Sequence, residues 1–549
     1  MLQIVSPNDP FDAIVVGSGA TGGWAAKKLT AAGMRVALLE AGKKITPADF
    51  TEHKQSWQLP FLGHSPKIRE ERPIQSRCYA CRESNYEWFV NDRENPYTQA
   101  KPFYWIRQRV LGGRSLSWGR QSYRMSDLDF KAASHDGYGD DWPISYDEMV
   151  PYYEEVERFV GISGTAENLP QLPDSVFLPG MEMTCGERIL KKTAMEKLGR
   201  VVTIGRAAIL TKQHNGRAAC HYCGPCEQGC VTFSYFSSPW TTIADAHKTG
   251  RLTLMADAVA SHLVMKDGKA SAVAYIDRVT REPREVRAKV IVLCASTLES
   301  TRLLLNSGVC NSSGVLGKNV MDHIYGGGAQ GEMPEIEARP WAGPPRRPNG
   351  IYVPRFRNVK EKTTNGFIRG YGYQGGSSPS FNWSAPGFGA AYKRAVRNGA
   401  WRIDLGLWAE CLARKENYVE IDRDRVDAWG IPVLKIHAEY GDNEKKLFND
   451  GREQAGAMLE AAGARNVRLT GEYSVPGFCI HEIGTARMGS DPKASVVNRY
   501  CQTHDVPNVF VTDGACWVSS GCQNPTLTMM AITVRACDYI QREYSKQMV

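Results

Sequence analysis

The stretch FDAIVVGSGATGGWAAKKLTAAGMRVALLEAG, residues 11–42, decides the fold. A short apolar run at 13–16 leads into a glycine turn, a helix-like segment follows at 24–32, and a second apolar run lies at 36–39. Short apolar runs bounded by turn residues are typical of buried strands. The order strand, helix, strand is one βαβ unit, which predicts an α/β fold with a Rossmann-like domain.

Three glycines in this stretch, Gly17, Gly19 and Gly22, form a GxGxxG pattern, and Glu40 ends the second predicted strand. In a dinucleotide-binding turn the first glycine permits the tight turn, the second lets the backbone approach a pyrophosphate, and the third lets helix and strand pack closely. The acidic residue accepts hydrogen bonds from the ribose hydroxyls. We therefore predict a dinucleotide site rather than a structural glycine turn. Flavoproteins commonly place this unit at the N-terminus, which favours FAD over NAD.

Length and composition exclude several classes of protein. The chain has 549 residues, 42% hydrophobic and 23% charged, and this length predicts about two to four domains. It contains no tract of about 18 apolar residues, so we expect no membrane span. A net charge of +8, spread thinly, makes nucleic acid a poor candidate partner. Met1–Pro10 has neither a basic nor an apolar region of the kind found in signal peptides, so we expect no export signal in this chain.

Further strand-like runs occur at 252–255, 262–265 and 290–294, and a helix-like segment follows at 297–306. These features indicate that the α/β domain resumes after a long excursion. Within that excursion Ser145, with Glu148 three positions on, has the capping-box spacing that predicts the start of a helix. A later part of the chain has alternating segments that indicate an antiparallel sheet, and it contains Trp341, Trp383, Trp401 and Trp408.

We therefore predict an α/β fold, α+β overall, in which a discontinuous FAD-binding domain is joined to a substrate domain on an antiparallel sheet. The predicted domains are the FAD-binding domain at 1–45, 200–324 and 475–549, a lid and connecting excursion at 46–199, and the substrate-binding domain at 325–474. Tryptophans of the last domain could stack on sugar faces, although burial in the sheet core is the commoner role.

The C-terminal segment carries a second cofactor signal. An apolar strand at 509–512 leads to Asp513 and Gly514, and the sequence Asn524, Pro525, Thr526 opens a final helix that we predict to end at about Tyr539. Asn at the N-cap and Pro at the first helical position make a firm helix start. The positive end of this helix would stabilise an anion, such as a reduced flavin.

A candidate base lies upstream of that helix. His481 follows an apolar run, 475–480, which we predict to be a strand, and it begins the sequence HEIGTARMG. A lone histidine is more often structural, although imidazole is also the commonest general base near neutral pH.

Five motifs taken together resemble the glucose-methanol-choline (GMC) family of FAD oxidoreductases, and the match covers nearly the whole chain. They are GSGATGG with Glu40, LGGRSLSWG at 111–119, GKNVMDH at 317–323, HEIGTARMG and the NPT helix start. The resemblance implies that His481 takes the hydroxyl proton of an alcohol while hydride passes to the flavin, and that Asn524 holds the same oxygen. It also places Gly112 and Gly113 at the cofactor. Some members tether the flavin through a histidine near this glycine pair, but residues 65–134 contain no histidine, so we expect noncovalent FAD.

Four cysteines lie close together in the sequence CHYCGPCEQGC: Cys220, Cys223, Cys226 and Cys230. Their spacing matches the bacterial ferredoxin run, apart from Val231 where that run has proline. Structural zinc usually takes two separated CxxC pairs, so we favour an iron-sulfur cluster, 4Fe-4S or 3Fe-4S, over zinc or over reduced structural thiols. A ligand could also come from Cys78 or Cys81, although a lone CxxC pair is a weak signal.

A GMC flavoprotein with such a cysteine run resembles the catalytic subunits of bacterial sugar dehydrogenases, most of all the glucoside 3-dehydrogenase type. That resemblance implies a sugar or glycoside substrate oxidised at C3, a small partner subunit and a cytochrome electron acceptor. It also implies either a cytoplasmic location or a periplasmic one reached by co-export with a signal-bearing partner. Two alternatives remain at this stage, an oxidase that passes electrons to oxygen and a catalytically silent flavoprotein subunit.

Overall fold

The computed structural model describes residues 10–51, 53–336, 347–380, 385–397 and 399–546. Trp341 and Trp383, which we place in the antiparallel domain, lie outside these residues. The α-helices are Ala20–Ala31, Pro66–Glu71, Asp127–Phe130, Ala132–Asp136, Tyr146–Val160, Cys185–Leu198, Thr242–Lys248, Thr297–Ser307, Gly389–Arg397, Asp442–Ala461 and Thr526–Ser545. Among the residues described, no helix is both long enough and apolar enough to cross a membrane.

The predicted βαβ unit is confirmed. Strand Phe11–Val16 pairs in parallel with strand Val36–Leu39, and helix Ala20–Ala31 connects them. These strands belong to a seven-stranded sheet, and the strands run in the order Leu252–Met255, Val36–Leu39, Phe11–Val16, Pro283–Leu293, Lys269–Asp277 and Ala258–Lys266, with Val509–Val511 also paired to Pro283–Leu293. The sheet therefore draws its strands from three separate parts of the chain, as a discontinuous Rossmann-like domain requires.

Strand Pro283–Leu293 has two roles in this sheet. Its second half pairs in parallel with Phe11–Val16 and Val509–Val511, and its first half pairs in antiparallel fashion with Lys269–Asp277. Residues on both faces of the central strands are fully buried, as in Ile14 and Val15, because helices cover the sheet. The parallel strands consequently end together at one edge, where the glycine turn lies.

The second sheet has six strands, and all its pairs are antiparallel, as predicted. Its order is Arg465–Thr470, Ile324–Glu332, Trp401–Ala409, Tyr371–Pro379, Ile351–Val353 and Thr203–Ile204. Helix Asp442–Ala461 packs against this sheet. The edge strand Thr203–Ile204 comes from the segment that we assign to the FAD-binding domain, and the domain boundaries themselves stay a prediction.

The remaining strands are short or peripheral: Thr98–Gln99, Ile162–Gly164, Phe177–Pro179, Tyr418–Val426 and Pro432–His437. Helix Tyr146–Val160 starts where the sequence predicts, since the Ser145 hydroxyl accepts a hydrogen bond from the Glu148 backbone N–H at 3.4 Å.

The prediction of a strand at 475–480 is wrong. This segment is a turn, in which the N–H of Ile480 donates to the carbonyl of Gly477. Gly477 has a φ of +86°, which is incompatible with a strand, and its N–H donates to the Asp322 carboxylate at 2.8 Å. The turn carries His481 at its end.

Candidate active site

A cavity of about 500 Å³ collects predicted site residues from four distant parts of the chain. Those that line it are Gly17, Gly19, Glu40, Gly113, His481, Asp513, Gly514, Asn524, Pro525 and Thr526. Gly22 and Gly112 lie behind the cavity wall, and the four clustered cysteines do not line the cavity.

The glycine turn has the geometry that a dinucleotide requires. Gly17 has a φ of +98°, and a Cβ at this position would lie 2.4 Å from the carbonyl oxygen of Cys294. A Cβ at Gly22 would lie 1.8 Å from the carbonyl oxygen of Gly17, so the helix packs on the turn too closely for any side chain. A Cβ at Gly19, in contrast, would meet no protein atom within 4 Å. The space beside Gly19 is therefore open for a ligand, and the residues fit the pyrophosphate of FAD.

Glu40 is held rigidly at the wall of the cavity. Its Oε2 atom accepts hydrogen bonds from the backbone N–H and hydroxyl of Ser18, at 3.2 and 2.5 Å, and Oε1 accepts from the N–H of Gly42 at 2.8 Å. Burial raises the pKa of Glu40, against the lowering effect of these hydrogen bonds. Each carboxylate oxygen keeps further acceptor capacity, so Glu40 fits the predicted role at a ribose.

The second glycine turn packs against the first. The N–H of Gly112 donates to the Ser18 hydroxyl at 2.8 Å, and a Cβ at Gly112 would lie 2.5 Å from Pro239. Gly113 faces Gly19, since its Cβ would lie 4.0 Å from the Gly19 Cα atom. Together the two turns form one end of the cavity.

Asn524 does not cap the last helix, contrary to the sequence prediction. The helix begins at Thr526, and Pro525 occupies the cap position without a side-chain cap. The Asn524 amide is held elsewhere: Oδ1 accepts from Nε2 of Gln374 at 2.7 Å, and Nδ2 lies 3.4 Å from Nε2 of His481. Because Gln374 fixes the amide, its N–H groups point to His481 and the cavity.

His481 pairs with a second histidine. Nδ1 of His481 lies 2.9 Å from Nδ1 of His323, and Nε2 of His323 contacts the carbonyl oxygen of Gly521. A carbonyl only accepts, so Nε2 of His323 carries the proton and its Nδ1 is an acceptor. His481 must then donate from Nδ1, which leaves its Nε2 unprotonated and able to accept from the Asn524 amide.

Both histidines are neutral in this arrangement. Burial lowers the pKa of His323 to about 4. Burial, the neighbouring His323 and Arg114 hold the pKa of His481 well below its usual range. Nε2 of His481 is therefore a neutral acceptor beside the Asn524 amide, which is the state that a general base needs.

Asp322 fixes the turn that carries His481. Its Oδ2 atom accepts from the backbone N–H groups of Gly477 and Cys479, at 2.8 and 3.2 Å, and Oδ1 accepts from the N–H of His481 at 3.0 Å. Burial, together with the nearby Glu482, raises the pKa of Asp322 to about 7. Asp322 and His323 stand in the GKNVMDH motif of the family resemblance, but neither is among the predicted site residues.

Three aromatic residues line the cavity near His481. The ring of Tyr325 lies 4.8 Å from that of Trp408 and 6.3 Å from that of Phe478, measured between centroids. Trp401, in contrast, donates from its indole to Ser377 and does not line the cavity. Of the tryptophans that the sequence offers for stacking on a sugar and that the structure describes, Trp408 is thus the one that lines the cavity.

The four clustered cysteines form no disulfide. Cys226 packs in an apolar cluster, against which Cys220 and Cys230 also lie. The N–H of Tyr222 points to the sulfur of Cys220 at 3.4 Å, and burial raises the pKa of the Cys220 thiol to about 11, with a further contribution from the other thiols. One amide of this short loop is thus directed at a sulfur, and the iron-sulfur assignment of its four thiols stays a prediction.

Cys78 and Cys81 lie in a different apolar cluster from Cys226. Burial raises the pKa of Cys78 to about 11 and that of Cys81 to about 12, as for structural thiols. Arg120 lines the cavity, and its guanidinium lies 5.3 Å from the ring centroid of Tyr235, which packs in the same apolar cluster as Cys226. Burial lowers the pKa of Arg120, but Cys226 and neighbouring tyrosines outweigh this effect, so the net shift is upward.

Comparison with known proteins agrees with this geometry. Two family models, both described as GMC oxidoreductase, match residues 11–325 and 413–533. The chain belongs to the GMC oxidoreductase family. It is therefore an FAD-dependent oxidoreductase that acts on the CH–OH group of a sugar or alcohol.

Relatives within the GMC family match along nearly their whole length. The chain is 30% identical to 2-methyl-1,2-propanediol dehydrogenase of Mycolicibacterium austroafricanum, over 98% of this chain and 96% of that protein. It is 27% identical to the fructose dehydrogenase large subunit of Gluconobacter japonicus, over 96% and 97% of the two chains. The structure of pyridoxine 4-oxidase from Mesorbium loti aligns with a TM-score of 0.61 at 19% identity, over 97% of this chain and 99% of that chain, which shows a shared fold.

Proposed function

We propose that this GMC oxidoreductase is a dehydrogenase that oxidises a secondary hydroxyl of a sugar or glycoside, at C3 of glucosides. The observation that carries the proposal is the pair formed by His481 and Asn524. An unprotonated imidazole Nε2 and a fixed amide donor lie 3.4 Å apart in the wall of the cavity that fits FAD.

The roles of these side chains follow from their protonation. The substrate hydroxyl donates to Nε2 of His481, and its oxygen accepts from Nδ2 of Asn524. As His481 takes the hydroxyl proton, its Nδ1–H group continues to donate to His323, so the ring keeps its orientation. Bound FAD supplies the hydride acceptor when the C–H bond of the alcohol breaks.

The aromatic wall and the relatives support a sugar substrate. Trp408, Tyr325 and Phe478 offer flat apolar surfaces near the base, of the kind that pack on sugar rings. Besides the fructose dehydrogenase, a relative named for a sugar acid is the gluconate 2-dehydrogenase flavoprotein of Pantoea cypripedii, 24% identical over 97% of this chain and 94% of that protein. The C-glycoside 3-oxidase of Microbacterium trichothecenolyticum is 25% identical over 53% of this chain. The name of the diol dehydrogenase relative adds small diols to the substrates worth testing.

FAD is noncovalent in this proposal. Of the described residues that line the cavity, His481 is the one histidine, and it is engaged with His323 and Asn524. Acid precipitation should then release all the flavin from the protein. Flavin that remains on the denatured chain would contradict this part of the proposal.

We further propose that Cys220, Cys223, Cys226 and Cys230 hold an iron-sulfur cluster. Such a cluster supplies one-electron transfer to an acceptor of the cytochrome type. The position of the loop supports this assignment, since Arg120 lines the cavity and also packs on Tyr235, a neighbour of Cys226 in one apolar cluster. Two relatives are named as a large subunit and a flavoprotein, which supports a small partner subunit and leaves open a cytoplasmic location or a periplasmic one by co-export.

The test is anaerobic mixing of the purified protein with a panel of glucosides, fructose, gluconate and 2-methyl-1,2-propanediol. We expect glucosides to bleach the flavin fastest and NMR of the product to show a ketone at C3. Bleaching by the diol alone would overturn the sugar assignment. Fast peroxide formation in air would favour the oxidase alternative, which the oxidase relatives support, and bleaching by no substrate would favour the silent subunit.

A further inference from the structure

A third metal-binding side chain stands beside the two histidines of the active site. The Cys479 sulfur lies 3.4 Å from Nδ1 of His481, and Nδ1 of His323 lies 2.9 Å from the same atom. All three ligand atoms fall within 4.8 Å of one another. Neither the resemblance to the family nor the proposed mechanism gives Cys479 a role.

We propose that His323, Cys479 and His481 form a binding site for a thiophilic divalent cation of the Zn²⁺ or Cd²⁺ class, and that the bound ion switches off the catalytic base. Imidazole nitrogens and thiolates both bind zinc in proteins, and a zinc ion held by three protein ligands leaves its fourth position to water.

The distances suit such an ion after a small adjustment. Zn–N bonds of about 2.05 Å and a Zn–S bond of about 2.3 Å place tetrahedral ligand atoms roughly 3.3 Å apart for two nitrogens and roughly 3.6 Å apart for nitrogen and sulfur. The observed separations are 2.9 Å and 3.4 Å. The third separation, between the Cys479 sulfur and the His323 ligand nitrogen, lies within 4.8 Å. Side-chain rotations that move the two nitrogens by a few tenths of an ångström and the sulfur by up to roughly 1 Å would therefore shape the group to hold the ion.

The surroundings already orient the ligands. Nε2 of His323 donates to the carbonyl of Gly521, which directs its Nδ1 lone pair to the site, as in second-shell support of metal-bound histidine. The backbone of Cys479 and His481 is fixed by the Asp322 carboxylate. Cys479 and His481 line the cavity, so an ion could enter from it.

Binding would change the state of the base. The ion takes the place of the proton between the two Nδ1 atoms, that proton moves to Nε2 of His481, and the Cys479 thiol proton passes to solvent. A neutral imidazole that is coordinated through Nδ1 carries its one proton on Nε2. His481 would then present a donor, instead of a lone pair, to the substrate hydroxyl. This inhibition rests on the proposed role of His481, whereas the binding does not.

The first test is spectroscopic and uses the flavin-containing protein after treatment with a chelator. Co²⁺ is added as the probe, and difference spectra are recorded at wavelengths beyond the flavin absorption. We expect tetrahedral d–d bands with thiolate charge transfer, displaced by Zn²⁺. Cys479→Ser should lose these bands, whereas the exposed control Cys185→Ser should keep them. Bands that are absent from the wild type, or unchanged in Cys479→Ser, would overturn the site.

A measurement on the wild type alone guards against a variant that fails to fold. X-ray absorption at the zinc edge should show a shell of two nitrogens and one sulfur. A shell of sulfur only would assign the ion to the cysteine loop and overturn the proposal. With any substrate that bleaches the chelator-treated enzyme, Zn²⁺ should slow bleaching by at least about 100-fold, in the range of losing a general base. Zinc bound without inhibition would overturn the switch, whereas a metal-free enzyme that no substrate bleaches would instead count against the proposed function.

Discussion

Nδ1 of His323 lies 2.9 Å from Nδ1 of His481, and the partner of His323 on its other side is the carbonyl of Gly521. A chain of hydrogen bonds that ends on a carbonyl has one direction, so the proton positions are determined along its length. The tautomer of His481 is therefore set by a carbonyl that does not contact the ring itself. In the proposed mechanism His323 is therefore a positioning residue, because it acts on the alcohol only through His481.

The first prediction concerns this positioning. His323→Leu removes the acceptor for the Nδ1–H group of His481, so the lone pair on Nε2 is no longer enforced. Flavin reduction should slow by about 10-fold or more, the cost of an unpaired buried donor. His323→Gln, whose Oε1 can accept from the same group, should recover most of the rate. Stopped-flow bleaching across a range of pH checks this, and equal losses in both variants would reduce His323 to a packing role.

The second prediction concerns Asn524, which the sequence predicts to cap the last helix and which the structure places outside the cap position. Its amide makes no cap to the last helix, so Asn524→Ala should slow flavin reduction by about 10-fold, while the free energy of unfolding falls by no more than about 1 kcal/mol for the lost hydrogen bond with Gln374. The matched control is Ser145→Ala, which removes a real cap and should cost about 1 kcal/mol without changing the rate. A large loss of thermal stability in Asn524→Ala would restore the capping role.

Substitutions of Gly19 and Gly22 should have different effects, the first on FAD binding and the second on folding stability. Gly19→Ala places a methyl group in open space, so the apoprotein should melt as the wild-type apoprotein does but bind FAD more weakly. Gly22→Ala forces a Cβ to within 1.8 Å of the Gly17 carbonyl oxygen, and overpacking of this kind costs about 1–3 kcal/mol or more. Two measurements distinguish these variants: the flavin content after gel filtration reports FAD binding, and the melting curve of the apoprotein reports folding stability. Full FAD retention in Gly19→Ala would place the pyrophosphate elsewhere.

The lowered pKa of the Glu299 carboxyl group predicts that the stability of the protein depends on pH. Burial raises the pKa of this carboxyl group, but Arg109, Arg302 and Arg107 outweigh burial and lower the pKa from 4.5 to about 2. A folded-state pKa below the unfolded value gives stability that is present above pH 4.5 and is lost as the pH falls toward 2. The size of this contribution is roughly 3 kcal/mol.

Glu299→Gln should accordingly lower the melting temperature at pH 7, and its gap to the wild type should narrow as the pH falls below about 4.5. The control is Glu282→Gln, which removes an exposed ion pair with Arg284 and should change little at any pH. A gap that stays constant with pH would show that Glu299 contributes through packing rather than through its charge.

Local features of the fold could be predicted from the sequence. The βαβ unit follows from apolar runs and glycines that are neighbours along the chain, and the antiparallel sheet follows from alternation within each strand. The turn at 475–480 could not be predicted from its apolar composition, because Asp322 binds its N–H groups across more than 150 residues.

The candidate site likewise has residues that could be predicted from the local sequence and residues that could not. The sequence supplies Gly17, Gly19 and Glu40, since each has a fixed local role in a known turn. The roles of His323 and Asn524 depend on Gly521 and Gln374, partners that the fold brings in from distant segments. A capping preference is weak compared with a fixed side-chain hydrogen bond, and for this reason the predicted cap is absent.

The last prediction concerns the loop at 220–230. If its four thiols hold an iron-sulfur cluster, Cys226→Ser should lose iron and sulfide, while glucoside still bleaches the flavin at the wild-type rate. Turnover with a one-electron acceptor should fall sharply, because a flavin reduced by two electrons then lacks a stepwise route to that acceptor. The matched control is Cys537→Ser, a buried cysteine outside the loop, which should keep its iron. Iron and sulfide analysis with EPR, before and after anaerobic addition of a glucoside, distinguishes these cases. Zinc in place of iron, or iron that glucoside never reduces, would contradict the relay, because four thiolates around a redox-inert ion could stabilise the loop but could not carry an electron.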